Sequence, residues 1–316
     1  MRYVRLGRAG VKVSRVALGT GRLGSGVPEE TSIQIIHRAL ELGINFIDTA
    51  DIYGGGASEI AVGKALQGRR DEVVLGTKFK IDTDDGPNGQ GASRYRIMRQ
   101  VERSLKRLQT DYIDLYQIHR PDGECEIDET LRAMDDLVRQ GKVRYIGCSN
   151  FDAWRIMEAL WVSDRMNLER FVTNQPRYNM LDRHVEQEIL PACKKFGLAT
   201  LCYSPLEGGM LTGKYLGGTQ AGYRLTGEEL QDPKRQAQLH KVAQFKTIAD
   251  RLGVSLANLA IAWLIHRGED VIPILGASRP GQLDENIQAL ELTLDQEILQ
   301  QIEAINPSPF FDFTLR

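Results

Sequence analysis

Short apolar runs rich in β-branched residues alternate with amphipathic segments along nearly the whole chain, about one pair per thirty residues. The apolar runs are "VALGT" at 16–20, "FIDTA" at 46–50, "VVLGTK" at 73–78, "IDLYQIH" at 113–119, "VRYIGCS" at 143–149, "FVTNQ" at 171–175, "ATLCYS" at 199–204 and "VIPILGA" at 271–277. Their near-continuous hydrophobicity, in place of strict alternation, predicts parallel strands covered by helices. Between them, 32–43, 93–108 and 128–141 carry helical periodicity. Ser93 and Asp128 stand where N-caps are expected, and Gly43 and Gly141 where a helix C-terminal glycine is expected. Eight strand–helix pairs predict an α/β fold, a (β/α)8 TIM barrel forming one domain over 1–316. The opening "YVRLG…KVSRV" predicts an N-terminal β-hairpin that plugs the barrel bottom.

Two connections are long, 79–92 after the third strand and 205–236 after the seventh. Long loops in a compact domain are usually functional, and loops that follow barrel strands lie on the C-terminal face. A different reading starts from "GTGRLG" at 19–24, which matches GxGxxG after an apolar run, with Asp48 at the distance of a ribose-binding acid. In that motif the third glycine opens a helix, whereas "SGVPEE" delays helix onset here to about Pro28, and eight strand–helix pairs do not suit that fold.

Composition narrows the field. The 316 residues are 42% hydrophobic and 26% charged with a formal net charge of -2, which gives no electrostatic reason to expect nucleic acid or a membrane surface as partner. The clusters "GRR" at 68–70 and "KK" at 194–195 read as solvated surface. The four cysteines lack CxxC spacing, and Cys148 and Cys202 lie in apolar runs as small core residues. The five histidines lack metal-ligand spacing, so no metal is expected. With no signal peptide and no 18-residue apolar run, a cytoplasmic location is expected.

Polar residues gather at the C-terminal ends of the predicted strands. Asp48 ends the second, with Tyr53 in the loop beyond; Lys78 ends the third; His119 ends the fourth. Ser149 and Asn150 end the fifth, Gln175 the sixth, and Tyr203 and Ser204 the seventh. Singly, each has an ordinary explanation: a turn-capping acid, a rim phenol, a surface lysine, a hydrogen-bonded core histidine. In a closed barrel they converge on one mouth. A phenol titrates near ~10 and is a poor proton donor at neutral pH. A lysine beside it favours the phenolate and lowers that pKa, and a carboxylate holds the lysine charged and in place. Such a tyrosine can protonate a carbonyl oxygen as negative charge develops on it, while a neutral histidine orients the carbonyl.

With these residues in view, the sequence closely resembles the aldo-keto reductases over essentially its whole length. "FIDTADIYGGGASE", "TDYIDLYQIHRPD", "GKVRYIGCSNF" and "YSPLEGGMLTGKY" carry the likeness. "DGPNGQG" and "PLEGGMLTGKY" point to the branch of aryl-alcohol-dehydrogenase-like enzymes and potassium-channel β-subunits. The resemblance implies a (β/α)8 barrel that transfers hydride between NADPH and a carbonyl or alcohol without metal. It implies Tyr53 as acid/base, Lys78 and Asp48 as its tuning pair and His119 as the orienter. It also implies a nicotinamide carboxamide held by Ser149, Asn150 and Gln175 with Tyr203 stacked on the ring. The rest of the cofactor falls along Gly19, Thr20, Gly21 and Asp48, along Ser204, Pro205, Leu206, Gly208 and Lys214 beside the pyrophosphate, and along Gly276. Ser278 and Arg279 would take the adenosine 2'-phosphate, with Gln282, Glu285 and Asn286 around the adenine. Arginine there favours NADPH over NADH. This chain departs from the aldose-reductase branch in two places. Gly276-Ala277 replaces a Lys-Ser pair, and Gly21-Arg22 stands where that branch has tryptophan.

The expected function is therefore an NADP-dependent oxidoreductase interconverting aldehydes, ketones or sugars and alcohols, as a monomer or weak homo-oligomer. The alternative is an NADPH-binding regulatory subunit of a membrane channel, against which the short N-terminal segment is expected to weigh. The two long connections and the tail "NPSPFFDFTLR" are expected to wall the substrate pocket, with Phe310, Phe311 and Phe313 reaching the mouth or packing on the barrel; Arg22 is expected either to favour anionic or sugar substrates or to pair with a loop carboxylate.

Overall fold

A computed structural model describes residues 1–81, 86–220 and 223–309 of the chain. A two-stranded antiparallel hairpin, β1 (Tyr3–Arg5) and β2 (Lys12–Ser14), comes first. Eight parallel strands follow: β3 (Ala17–Gly19), β4 (Phe46–Asp48), β5 (Val74–Phe79), β6 (Ile113–Ile118), β7 (Val143–Ser149), β8 (Thr173–Gln175), β9 (Ala199–Cys202) and β10 (Val271–Gly276). They pair in chain order, and β10 closes the barrel on β3. Each lies within two residues of its expected bounds. The helices are α1 (Glu29–Glu41), α2 (Ala57–Ala65), α3 (Arg94–Leu108), α4 (Ile127–Arg139), α5 (Ala153–Met166), α6 (Ile189–Phe196), α7 (Gly227–Leu230), α8 (Pro233–Arg251), α9 (Leu256–Ile265), α10 (Gly281–Asn286) and α11 (Gln296–Ile305). Among the described residues, no single helix is long and apolar enough to cross a membrane.

The two faces of each strand meet different neighbours. Outward residues such as Leu18, Ile47, Leu75, Ile118 and Ile146 join the buried shell under the helices. Inward residues near the strand starts, Ala17, Phe46, Val74, Leu115, Ala199 and Ile272, form a second apolar cluster. Val4, Leu6, Ala9 and Val13 of the hairpin close that cluster from below, as expected. Gly7 lets the hairpin approach: at φ 58°, a Cβ there would come within 2.4 Å of the Val172 carbonyl. Each large apolar side chain buried this way contributes roughly 1.5–3 kcal/mol. Higher up the interior turns polar, with Asp48, Lys78, Gln117, Thr173 and Gln175 all buried. Gly147 makes the room, since a Cβ there would lie 2.1 Å from Thr173 Oγ1.

The helix ends follow their local chemistry. Ser93 caps α3 by accepting from Arg96 N at 3.3 Å. Asp128 does not cap α4; Glu126 holds the cap position and Asp128 lies in the first turn, where its charge suits the helix dipole. Gly43 and Gly141 follow α1 and α4 in left-handed conformation. Cys148 and Cys202 are buried, as is Cys193. Arg70 is not simply solvated: it lies half-buried on Asp114 at 2.6 Å and over the Tyr112 ring. The 205–236 connection is not structureless, since it holds a short 3-10 stretch (Glu207–Thr212), α7 and the start of α8. Helix onset after "GTGRLG" is at Glu29, with Pro28 as the cap, so those glycines open no helix. Residues 82–85, within the 79–92 connection, and Phe310, Phe311 and Phe313 lie outside the described residues.

Candidate active site

Barrel geometry gathers the strand-end polar residues. Because side chains alternate along a strand, Asp48, Lys78, Gln117 and Gln175 all face inward near the C-terminal rim. Lys78 is fully buried, and its Nζ donates to Asp48 Oδ2 at 2.6 Å, to the Thr49 carbonyl at 2.7 Å and to Tyr53 OH at 3.4 Å. The other oxygen of Asp48 accepts from Gln175 Nε2 at 2.9 Å and Gln117 Nε2 at 3.3 Å. The His119 ring meets the Tyr53 ring edge-on, with centroids 5.8 Å apart.

Tyr53 reaches this point because of the three glycines behind it. Gly54, Gly55 and Gly56 have φ of 58°, 63° and 98°, a run of left-handed residues that a side chain would strain by roughly 1–2 kcal/mol each. Space is also short: a Cβ on Gly54 would meet Ser25 at 2.7 Å, and one on Gly56 would meet Arg107 at 2.8 Å. Gly21 faces the phenol, and a Cβ there would touch its ring at 3.6 Å.

Electrostatics sets the proton inventory. Burial would lower the Lys78 pKa, but the Asp48 carboxylate and Tyr53 outweigh it and the ammonium is held above its usual value. Tyr53 behaves otherwise than the sequence suggests. Burial pushes its pKa up, Lys78 pulls down, and Asp48 and Asp51 push up again, so the phenol keeps its proton more firmly than free tyrosine. Burial, with the nearby charges of Lys78 and Arg120, lowers His119 to about 3, so the ring is neutral at ordinary pH. Its Nδ1 is buried with no acceptor among the described residues. An orphaned N–H is rarer than an orphaned lone pair, which assigns the proton to Nε2.

A second set of polar residues continues the rim. Asn150, at φ 60°, donates from Nδ2 to the His119 carbonyl and to Ser149 Oγ, both at 3.0 Å. Tyr203 OH donates to Asn150 Oδ1 at 3.0 Å, and Ser149 Oγ donates to the Gln175 carbonyl at 2.7 Å. Gly19 pairs with Asp48 on one side and Gly276 on the other, and Thr20 Oγ1 donates to the Asp48 carbonyl. Ser204, at φ 53°, Pro205, Leu206 and Gly208, at φ 62°, continue from Tyr203.

The more distant candidates are partnered within the protein. Lys214 lies across Gly209 with its ammonium 5.0 Å from the Tyr215 ring and 4.6 Å from the Tyr223 ring. Arg279 holds Glu285 at 2.7 Å, and Ser278 N donates to Gln282 Oε1 at 2.7 Å. Asn286 is buried at the end of α10, while a Cβ on Gly276 would meet open space. Arg22 folds back across Gly26.

Two features escaped the sequence. Gln117, two residues before His119 and hence on the same strand face, was open to discovery by alternation. Asp51 was not. Its backbone N donates to the Lys78 carbonyl at 3.1 Å, tying the Tyr53 loop to β5, while its carboxyl is buried beside Glu59 of α2 and Arg96, Gln100 and Arg107 of α3. Gln100 lies close to it, yet neither carboxyl oxygen has a well-formed hydrogen bond among the described residues. Burial, then repulsion by Glu59, pushes its pKa up to about 7.

Comparison with known proteins agrees with this architecture. The family model described as "Aldo/keto reductase family" matches residues 15–307. The uncharacterized oxidoreductase YrpG of Bacillus subtilis (strain 168) is 42% identical over 320 residues, spanning 98% of this chain and 97% of the relative. Aldo-keto reductase YhdN of the same organism is 39% identical, over 96% of this chain and 93% of that protein. A probable voltage-gated potassium channel subunit beta of Oryza sativa subsp. japonica is 37% identical, over 96% of each chain.

Proposed function

The chain belongs to the aldo/keto reductase family, and on that premise we propose that it is an NADP-dependent oxidoreductase interconverting aldehydes or ketones, sugars among them, and alcohols. The observation that carries the reading is the position of Lys78 Nζ, within hydrogen-bonding distance of both Asp48 and Tyr53 OH, with the His119 ring against the phenol. Hydride transfer is the chemistry the nicotinamide supplies when bound. The chain's own residues manage the oxygen. Neutral His119 donates a hydrogen bond that orients the carbonyl, and Tyr53 gives its proton as charge builds there. Lys78 steadies the phenolate left behind, and Asp48 keeps Lys78 charged and fixed. A phenol that stays protonated at neutral pH suits the reductive direction.

The donor set fits a dinucleotide. Ser149, Asn150 and Gln175 are hydroxyl and amide groups suited to a carboxamide, and Tyr203 offers a flat aromatic face beside them. Lys214 and Arg279 are exposed cations suited to phosphates. Arg279 would share its guanidinium between Glu285 and a 2'-phosphate. The 1–316 chain is read as one barrel domain, acting in the cytoplasm on small molecules as a monomer or weak homo-oligomer.

The likeness to potassium channel β-subunits favours a second reading, an NADPH-binding channel subunit whose catalysis is incidental. The test is NADPH consumption with aromatic aldehydes, dicarbonyls and aldoses. Steady turnover with at least one class supports the enzyme. Tight NADPH binding without turnover, together with co-purification of a membrane channel, supports the subunit.

A further inference from the structure

Two exposed arginines at the barrel mouth have no carboxylate partner among the described residues. Arg22 follows β3 and Arg120 follows β6, so they bracket the arc of the rim that carries Asp48, Tyr53 and Lys78. Each lies one residue from a group that meets the phenol. Beside Arg22 is Gly21, where a Cβ would touch the Tyr53 ring at 3.6 Å, and beside Arg120 is His119, whose ring meets the Tyr53 ring edge-on. The charge of Arg120 also bears on Tyr203, across the opening from β6.

The carboxylates close to them along the chain are taken elsewhere. Asp122, two residues beyond Arg120, accepts from Ala92 N at 2.7 Å and from Glu124 N at 3.0 Å. Glu29, the first acid after Arg22, holds Lys64 at 2.7 Å. Arg22 itself packs on Gly26, where a Cβ would lie 3.0 Å from its Nε. Arg177, also near Tyr203, shows the contrast. Its Nε donates to buried Glu207 at 3.1 Å and lies 3.5 Å from Asp182 Oδ2, and Glu207 also holds Arg235 at 3.1 Å. The groups between Arg22 and Arg120 add almost no net charge: Lys78 and Asp48 cancel, Tyr53 keeps its proton and His119 is neutral. The two arginines therefore set the sign of the potential over the proton donor, and a cleft lined by one sign of charge draws in ligands of the other. A guanidinium matches a carboxylate or a phosphate in a bidentate way.

We propose that Arg120, with Arg22 across the opening, selects carbonyl substrates that carry a carboxylate or phosphate a few bonds from the reacting carbon. The inference rests on the reading above, in which His119 orients that carbonyl; the residue next to it would hold the far end of the same molecule. The test compares kcat/KM with NADPH for para-carboxybenzaldehyde against its neutral methyl ester, and for glyceraldehyde 3-phosphate against glyceraldehyde. The anion should be favoured by about tenfold in at least one pair, and the pair that shows it tells carboxylate from phosphate. The preference should shrink as salt rises. Arg120→Gln should bring it close to unity through the KM of the anion, and Arg22→Gln, whose guanidinium lies back on Gly26, should reduce it less. The neutral member of each pair reports on folding and on the chemical step. Equal rates within both pairs, a preference that survives Arg120→Gln, or no reduction of either anion by a protein that turns over other carbonyls overturns this inference alone. An equal fall for both members of a pair also overturns it, because Arg120 would then serve His119 and not the substrate charge. Absence of NADPH-dependent turnover with every carbonyl class overturns the proposed function, and the inference with it.

Discussion

Replacing Asp51 by asparagine should flatten the pH dependence of stability and strengthen the protein most in mildly alkaline solution. Asp51 is 1% exposed, lies beside Glu59 and has its pKa pushed from 3.8 up to about 7. Between those values the folded protein keeps a proton that the unfolded chain has released, so stability falls as pH rises. The slope is about 1.4 kcal/mol per pH unit, and a window of about three pH units gives up to about 4 kcal/mol. The loss is absent below pH 4, complete above pH 7 and constant beyond. Asparagine keeps the shape and carries no charge. The gain of Asp51→Asn over wild type should therefore grow by about 2–4 kcal/mol between pH 4.5 and pH 8, read from urea unfolding at both pH values. His119 acts with the opposite sign: with its pKa lowered to about 3, the unfolded chain takes up a proton as pH falls below 6.5 that the folded chain refuses. That contribution is common to both proteins and cancels in the difference. A gain that is equal at the two pH values, or larger at pH 4.5, would refute the assignment of a proton to the buried Asp51 carboxyl.

The same reasoning bears on turnover and binding. Because His119 stays neutral down to about pH 3, kcat/KM for carbonyl reduction should show no acid limb near pH 6.5; a tenfold fall per unit there would show that the ring takes up a proton. Lys78→Met leaves the Asp48 carboxylate buried without its cation and should cost about 3–5 kcal/mol in urea unfolding. Adding Asp48→Asn should restore much of that stability without restoring turnover, and recovered turnover would remove Lys78 from the mechanism. Arg279→Ala should raise the NADPH Kd by about tenfold while leaving the NADH Kd little changed; equal losses for both would show that Arg279 does not read the 2'-phosphate.

How much of this was legible in the sequence depended on whether the signal was local. Strands buried on both faces read as apolar runs, so all eight barrel strands could be traced from hydrophobicity, and the ends moved by no more than two residues. Period-two alternation then carries the site, since it turns Asp48, Lys78, His119 and Gln175 to one interior once the barrel closes. Burial depth has no such signature. The Tyr53 phenol was expected to be acidified by Lys78, but the desolvation that outweighs the lysine arises only when the loop packs down. Glu207 was equally hidden, because its arginine partners lie about thirty residues away on either side and no periodic pattern relates them. Asp128 and Glu126 show a smaller version of the same limit: both are plausible beside a helix start, and three-dimensional packing chose between them.

The central claim is that the phenol held 3.4 Å from Lys78 Nζ is the proton donor. It is tested most directly by Tyr53→Phe, which removes one oxygen and leaves the ring in place. Carbonyl reduction under single-turnover conditions should fall by about 10²–10⁴-fold, while fluorescence titration should give an NADPH Kd within about threefold of wild type. Near-normal reduction by Tyr53→Phe would contradict the account, and so would a loss of NADPH binding that accounts for the lost reduction.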